Sequence, residues 1–152
     1  MAFHLSIGAF AEGSTIPKPY TCEGADVSPG IEWGGEPRGT KSFALIVDDP
    51  DAPAGVWNHW LLWDIPGSIH ALPEGFQPGQ LGQSGTNDFG KLGYGGPCPP
   101  GGHGPHRYFF KLYALDAAAL ELKAGARRAS LDAALRNHVL AQAEYMARYE
   151  RK

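Results

Sequence analysis

SFALIVDDPDAPAGVWNHWLLWDI, residues 42–65, is the stretch whose reading decides the fold. Ser42 to Val47 is a continuous apolar run with β-branched members. That pattern predicts a strand buried on both faces. It stops at Asp48-Asp49-Pro50-Asp51-Ala52-Pro53, which cannot continue a sheet because proline lacks the ladder N–H. Val56 to Ile65 then predicts a second strand. Trp57, His59, Leu61, Trp63 and Ile65 fall on one face, and Val56, Trp60 and Leu62 on the other. Both faces are apolar, which places this strand inside a sheet rather than at its edge.

Working outward, Phe3 to Ile7 alternates apolar and polar residues and reads as a strand. A Gly-, Pro- and Ser-rich loop leads to Ser28-Pro29-Gly30, and Ile31 to Trp33 is a short strand. Pro66 to Gly104 is punctuated by Gly and Pro every few residues and predicts little regular structure. An irregular segment of that length inside a compact domain usually has a function. His106 to Leu115 resumes the alternation, with Tyr108, Phe110 and Leu112 opposite Phe109, Tyr113 and Leu115. After Asp116 the chain turns rich in Ala, Leu and Arg. Leu131, Leu135, Val139, Tyr145 and Tyr149 keep near-helical spacing, which predicts a helix over 130–148 with Ser130 as N-cap and Asp132 in its first turn. A shorter helix is expected over 116–123. The fold class is thus β-rich α+β, in one domain over residues 1–152.

Composition supports that reading. The 152 residues include 21 glycines and 13 prolines, against about 12% Gly plus Pro in an average protein. Such an excess disfavours a helix bundle, and a 43% apolar content with four tryptophans disfavours disorder. The net charge of −3 and the lack of a basic stripe exclude nucleic acid as a first partner. No apolar run is long enough to span a bilayer. MAFHLSIGAF lacks the features of a signal peptide, so a cytoplasmic location is the default expectation. Cys22 and Cys98 are therefore expected as free thiols.

Three features carry potential chemistry. Asp49-Pro50-Asp51 places two carboxylates on a proline-stiffened exit from a buried strand. His59 sits inside an apolar strand, two residues from Trp57. Gly104-Pro-His-Arg-Tyr108 follows a Gly/Pro loop, Tyr94 to Gly102, that could bring backbone N–H groups to a ligand. Each also has a structural reading. Asp49 and Asp51 could cap turns, His59 could be a hydrogen-bonded core histidine, and Arg107 could pair with a carboxylate. His4, His70, His103 and His138 show no partner pattern and read as surface residues.

Together these residues resemble the phosphatidylethanolamine-binding protein family, also called the Raf kinase inhibitor protein family, in its bacterial branch. The resemblance rests on Asp49-Pro-Asp-Ala-Pro53, Trp57-Asn-His-Trp60, Asp88-Phe-Gly-Lys-Leu-Gly-Tyr94, Pro99-Pro100 and Gly104-Pro-His-Arg-Tyr108. Ile16-Pro17, Tyr20-Thr-Cys22 and Ser28-Pro29 ahead of Trp33 extend it across nearly the whole chain. It implies an antiparallel Greek-key β-sandwich with peripheral and C-terminal helices, and a homodimer. It also implies a small anion pocket that accepts phosphate-like groups and needs no metal or cofactor. Asp49, His59 and His106 would line the pocket, Trp57 and Tyr108 would form its aromatic wall, and Gly96 and Pro99 would lie on the loop beside it. A carboxylate beside histidines would raise their pKa and make them donors to an anion, and the glycine loop would add N–H donors. The sequence departs from the family where Asn58 replaces a second histidine of some members. It departs again where Gly101-Gly102-His103 stands in place of a frequent Lys-Gly, and in a C-terminal segment shorter than that of the eukaryotic branch. The leading expectation is a non-catalytic protein that binds a small anion or a phospholipid headgroup. The alternatives are a kinase or protease inhibitor acting through the 66–104 segment, and a hydrolase using Asp49, His59 and His106. Two histidines and an aspartate would also satisfy a catalytic zinc site, although the resemblance implies no metal.

Overall fold

The computed structural model describes residues 2–152. Its elements in chain order are β1 (His4–Ser6), β2 (Ile31–Gly34), β3 (Ser42–Asp49), β4 (Trp57–Pro66), β5 (Ala71–Leu72), β6 (Gln83–Ser84), β7 (His106–Leu115), α1 (Arg128–Leu135) and β8 (Val139–Tyr149). They form two antiparallel sheets, a three-stranded one ordered β1-β2-β5 and a five-stranded one ordered β6-β4-β3-β7-β8. β3 is central in the larger sheet and every one of its residues is buried, as its unbroken apolar run predicts.

The main core lies on the face of the larger sheet that packs against the smaller one. Phe43, Leu45, Val47, Trp60, Leu62, Phe110 and Leu112 meet Leu5, Ile31 and Trp33 there. The opposite face of the larger sheet is covered by α1. Ala44, Ile46, Leu61, Trp63 and Leu115 pack on Leu131 and Leu135. A sheet covered on both sides explains why β3 and β4 are apolar on both faces.

β4 departs from simple alternation at two places. Val47 pairs with Trp60 while Asp48 pairs with Asn58, so His59 is an extra residue in the ladder. A second irregularity lies between Leu45↔Leu62 and Phe43↔Ile65, beside Asp64, whose φ is +56°. Each is a β-bulge, which reverses the facing of the residues beyond it. Ile65 therefore joins Trp60 and Leu62 in the main core and not Leu61 and Trp63, as strict alternation predicts.

The expected C-terminal helix is mostly a strand. α1 ends at Leu135, its N-cap is Arg127 rather than Ser130, and Asn137 takes a left-handed φ of +70° that closes the helix. From Val139 the chain pairs with β7 along its whole length. The spacing of Val139, Tyr145 and Tyr149 fits a helix. However, Ala143, Tyr145, Ala147 and Tyr149 also fit a period of two, and these residues all pack on the core. The exposed backbone edge of β7 settles the contest, because its N–H and C=O groups need partners. The helix expected over 116–123 does not form either. That segment is irregular and held to the sheet by hydrogen bonds, from Leu120 N–H to Asp64 Oδ1 (2.9 Å), from Ser42 Oγ to Ala117 O (2.6 Å) and from Trp63 Nε1 to Leu122 O (3.2 Å).

Cys22 and Cys98 are joined in a disulfide with Cα atoms 5.4 Å apart, which corrects the free-thiol expectation. Sequence reasoning weighed compartment and could not see that the fold brings two loops 76 residues apart into contact. Such bonds persist mainly in oxidising surroundings, so the bridge does not follow from the cytoplasmic expectation on which the free-thiol expectation rests. Among the described residues no helix is long and apolar enough to cross a membrane.

Candidate ligand-binding site

The C-terminal end of β3 and the N-terminal ends of β4 and β7 lie at the same end of the larger sheet, because the three strands are antiparallel neighbours. Asp49, Trp57, His59, His106 and Tyr108 come from those ends. With Ala52, Pro53, Phe89, Cys98, Pro99 and Pro100 they line a cavity of about 180 Å³. Three wider hollows lie elsewhere, along residues 15–18 with 148–152, along 6–9 with 71–74, and beside Cys22, Asp26, Tyr94 and Cys98. None of them brings a buried carboxylate together with buried histidines, as the smaller cavity does, so the smaller cavity is the candidate site.

Asp49 is 3% exposed. Its Oδ2 accepts the Nδ1–H of His106 at 2.6 Å, and its Oδ1 accepts the backbone N–H of Asp51 at 2.7 Å. Asp51 turns outward. Its carboxylate accepts Arg107 N at 2.9 Å, Nε at 2.9 Å and Nη2 at 2.8 Å, so the motif couples the end of β3 to the start of β7. The Arg107 guanidinium holds the Asp51 carboxyl down at about 2. Of the two carboxylates, one borders the cavity and the other fixes the backbone that carries it.

His59 owes its place to the bulge. Its Nδ1–H donates to Gly95 O at 2.7 Å, and its own carbonyl accepts Gly95 N–H at 2.9 Å. Burial pushes its pKa below the ordinary value, and the Gly95 carbonyl and Asp49 oppose that shift without reversing it. The expectation of a raised pKa does not hold for this histidine, because desolvation outweighs the carboxylate. Neutral His59 keeps an Nε2 lone pair. Its ring meets Phe89 edge-on at 5.4 Å and Tyr108 at 5.2 Å.

Two donors on the cavity wall are poorly satisfied. Trp57 Nε1 is buried without an acceptor, and the Tyr108 hydroxyl, beside the Asp49 carboxylate, makes no hydrogen bond of ordinary geometry. Burial, then the Asp49 charge, hold that phenol protonated. Phe89, 41% exposed, stands over the opening against Trp57 at 5.5 Å. It lies within the Asp88 to Tyr94 motif but carried no sequence signal of its own.

The structure brings six of the seven predicted positions to the cavity: Asp49, Trp57, His59, Pro99, His106 and Tyr108. Gly96 is not on its wall. The Gly96 N–H is taken by Asp26 Oδ1 at 2.8 Å. A Cβ there would lie 2.3 Å from Tyr20 O, so this glycine serves close packing of two loops. With Gly95 N–H also engaged, the glycines at 95 and 96 have no backbone donor to spare, contrary to expectation. Sequence reasoning missed His103, whose Nδ1 lies 2.6 Å from His106 Nε2. Asn58, in place of a second histidine, points away from the cavity. Its Nδ2 donates to Asp88 Oδ2 at 3.0 Å and its Oδ1 accepts Arg128 Nη1 at 2.8 Å. Among the described residues no group of three or more His, Cys, Asp or Glu side chains is placed to hold a metal ion.

The loop wall is stapled from behind. Besides the disulfide, Tyr94 OH donates to Tyr20 O at 2.6 Å and Arg151 Nε to Pro99 O at 2.7 Å.

Fold and cavity together define a class, an antiparallel sandwich with a carboxylate–histidine pocket at one end of its larger sheet. Residues 6–150 match the phosphatidylethanolamine-binding protein family. A UPF0098 protein of Aquifex aeolicus is 51% identical over 146 residues, covering 94% of this chain and 85% of that one. One from Pyrococcus horikoshii is 46% identical over 149 residues, covering 94% and 74%. Among solved structures, a phosphatidylethanolamine-binding protein homologue of Chlamydia trachomatis superimposes with a TM-score of 0.91 at 38% identity over 99% of each chain. YbcL of E. coli, described as a member of the mammalian family, gives 0.92 at 35% identity over 100% of each. The chain belongs to the phosphatidylethanolamine-binding protein family.

Proposed function

We propose that the cavity binds a small oxyanion, a phosphoryl group in particular, without carrying out catalysis. One observation carries this reading. The buried donors Trp57 Nε1 and Tyr108 OH line one cavity, Trp57 Nε1 with no acceptor and Tyr108 OH with only the Asp49 carboxylate beside it, outside ordinary hydrogen-bond geometry. A buried donor without a partner costs free energy, and a ligand oxygen placed between these two would recover it. The walls of Pro53, Trp57, Phe89 and Pro99 exclude water and strengthen such contacts. A volume of about 180 Å³ suits a headgroup or a small phosphorylated metabolite and leaves no space for an acyl chain. The names of the family and its relatives support a phosphoethanolamine-like ligand. The site is read as a binding site because Asp49 and both histidine Nδ1 atoms are committed to fixed hydrogen bonds and no side-chain nucleophile lies beside them.

Calorimetric titration of O-phosphorylethanolamine, inorganic phosphate and phosphatidylethanolamine vesicles tests the reading and separates free phosphate from lipid headgroup. Tyr108→Phe deletes one donor and keeps the ring; Trp57→Phe deletes the other and leaves a smaller aromatic side chain. Each should weaken binding about ten- to hundredfold, the worth of one hydrogen bond to a charged acceptor. Absence of binding at millimolar ligand, or wild-type affinity in both variants, would overturn it.

A further inference from the structure

His103 lies outside the cavity wall yet completes its polar chain. His106 is 2% exposed, and its Nδ1–H is committed to Asp49 at 2.6 Å. Only Nε2 remains to meet a ligand, and His103 Nδ1 occupies it at 2.6 Å. A carboxylate only accepts, so neutral His106 carries its proton on Nδ1 and its Nε2 is a lone pair. His103 must then donate from Nδ1. Aqueous histidine needs no such arrangement, so this contact selects the tautomer of an exposed side chain.

His103 is exposed on a glycine-flanked turn, which leaves its side chain room to rotate off His106. Gly102 and Gly104 flank it with φ of +74° and +89°, and a Cβ at either would meet nothing within 4 Å. These glycines therefore serve backbone conformation and not packing. The turn is anchored at its base by Gly102 N–H to Arg151 O at 2.8 Å and His103 N–H to Pro100 O at 3.2 Å.

We propose that His103 is a latch on the ligand site, holding the one free nitrogen of His106 until a phosphoryl group takes its place. The inference rests on the oxyanion reading of the cavity. The incoming group supplies a P–OH that donates to the Nε2 lone pair, or, with His106 protonated, a P–O⁻ that accepts from it. Either requires His103 to leave that nitrogen. Trp57 and Tyr108 then serve the ligand's other oxygens. The contact also has a role in the free protein, since it spares a buried histidine an unpaired nitrogen.

Displacement has a cost, and removing the latch removes it. His103→Ala should bind inorganic phosphate and O-phosphorylethanolamine about fivefold more tightly than wild type, the equivalent of about one net hydrogen bond. Imidazole ¹⁵N NMR gives a second readout. In the free wild type, His103 should carry its proton on Nδ1, and phosphate saturation should return it to the Nε2–H form of an unconstrained histidine. Wild-type binding with equal or weaker affinity in His103→Ala would overturn the latch and leave the oxyanion reading standing. An unchanged His103 signal at saturation would do the same. No binding by either protein would overturn both.

Discussion

Asp48 and Asp49 are neighbours, both are 3% exposed, and they face opposite sides of the sheet. Asp48 meets two permanent cations, Lys111 Nζ at 3.0 Å and Arg128 Nη1 at 2.9 Å. Arg128 also binds Asn58 and, through Nε, Asp132 at 2.8 Å, so this side is an ion-pair network, made through Asp48 Oδ2 with Oδ1 left unpartnered, that anchors α1 to the sheet. Asp49 has no lysine or arginine. Its partners are one histidine and one backbone N–H, and the space beside it is a cavity. The strand thus presents the same side chain twice, once neutralised for architecture and once left with a titratable partner at an opening. Burial alone does not mark a functional carboxylate; the kind of partner does.

The comparison can be broken from either side. The largest effect should come from the staple that only the pocket side possesses. Replacing Cys22 and Cys98 by serine releases a constraint on 76 residues of chain separation, worth about 4 kcal/mol in the loop-entropy account. Urea denaturation with and without reductant measures it, and an unchanged midpoint would show the bridge to be idle.

Next come the two aspartates. Asp48→Asn leaves two cations facing a neutral group and should cost about 2 kcal/mol of stability, below the 3–5 of a fully buried pair because both cations keep some solvent. Affinity for phosphate should stay within about twofold. Asp49→Asn should do the converse, lowering affinity about tenfold while costing about 1 kcal/mol of stability. If the two variants behave alike, the division between architectural and ligand-facing carboxylate fails.

The smallest effect is on pH dependence. The folded-state pKa of His59 lies below its ordinary 6.5, so on acidification the unfolded chain binds a proton before the folded one. Stability is therefore lost as pH falls from 6.5 towards the folded pKa and becomes level below it. His59→Gln should flatten the thermal midpoint over that window. Asp51, held at about 2, adds a loss of the same sign between about pH 4 and 2, which the variant should leave in place.

Much of this was legible in the chain. β3, β4 and β7 follow from unbroken or alternating apolar runs, and β7 spans the residues that alternation predicts. β8 was not legible, because Ala-rich segments with sparse large residues satisfy periods of two and 3.6 alike, and only the open edge of β7 decides between them. Five cavity residues stood out in motifs on strand ends, and Pro99 in the loop motif beside them. Phe89 and the disulfide did not, because each depends on segments far apart in sequence whose approach no local pattern encodes; His103 did not, because a histidine three residues before His106 gives no sign of which way its ring turns. The roles of Gly95 and Gly96 were misjudged for a related reason. A glycine admits a ligand and a neighbouring loop equally well, and here the loop that carries Asp26 arrived.

The bulge in β4 has a consequence for how this site tolerates insertion and deletion. Trp57 pairs with Asp49 and Asn58 with Asp48, while Trp60 pairs with Val47, so His59 is a letter added to a ladder that is already in phase without it. A chain lacking His59 would close the gap between Asn58 and Trp60 and keep both neighbours on their present faces. A chain lacking Trp60 would have to draw His59 into the core or slip the strand. The cavity's second histidine is thus the one residue of this strand end that could be gained or lost as a unit without disturbing the sheet beneath it.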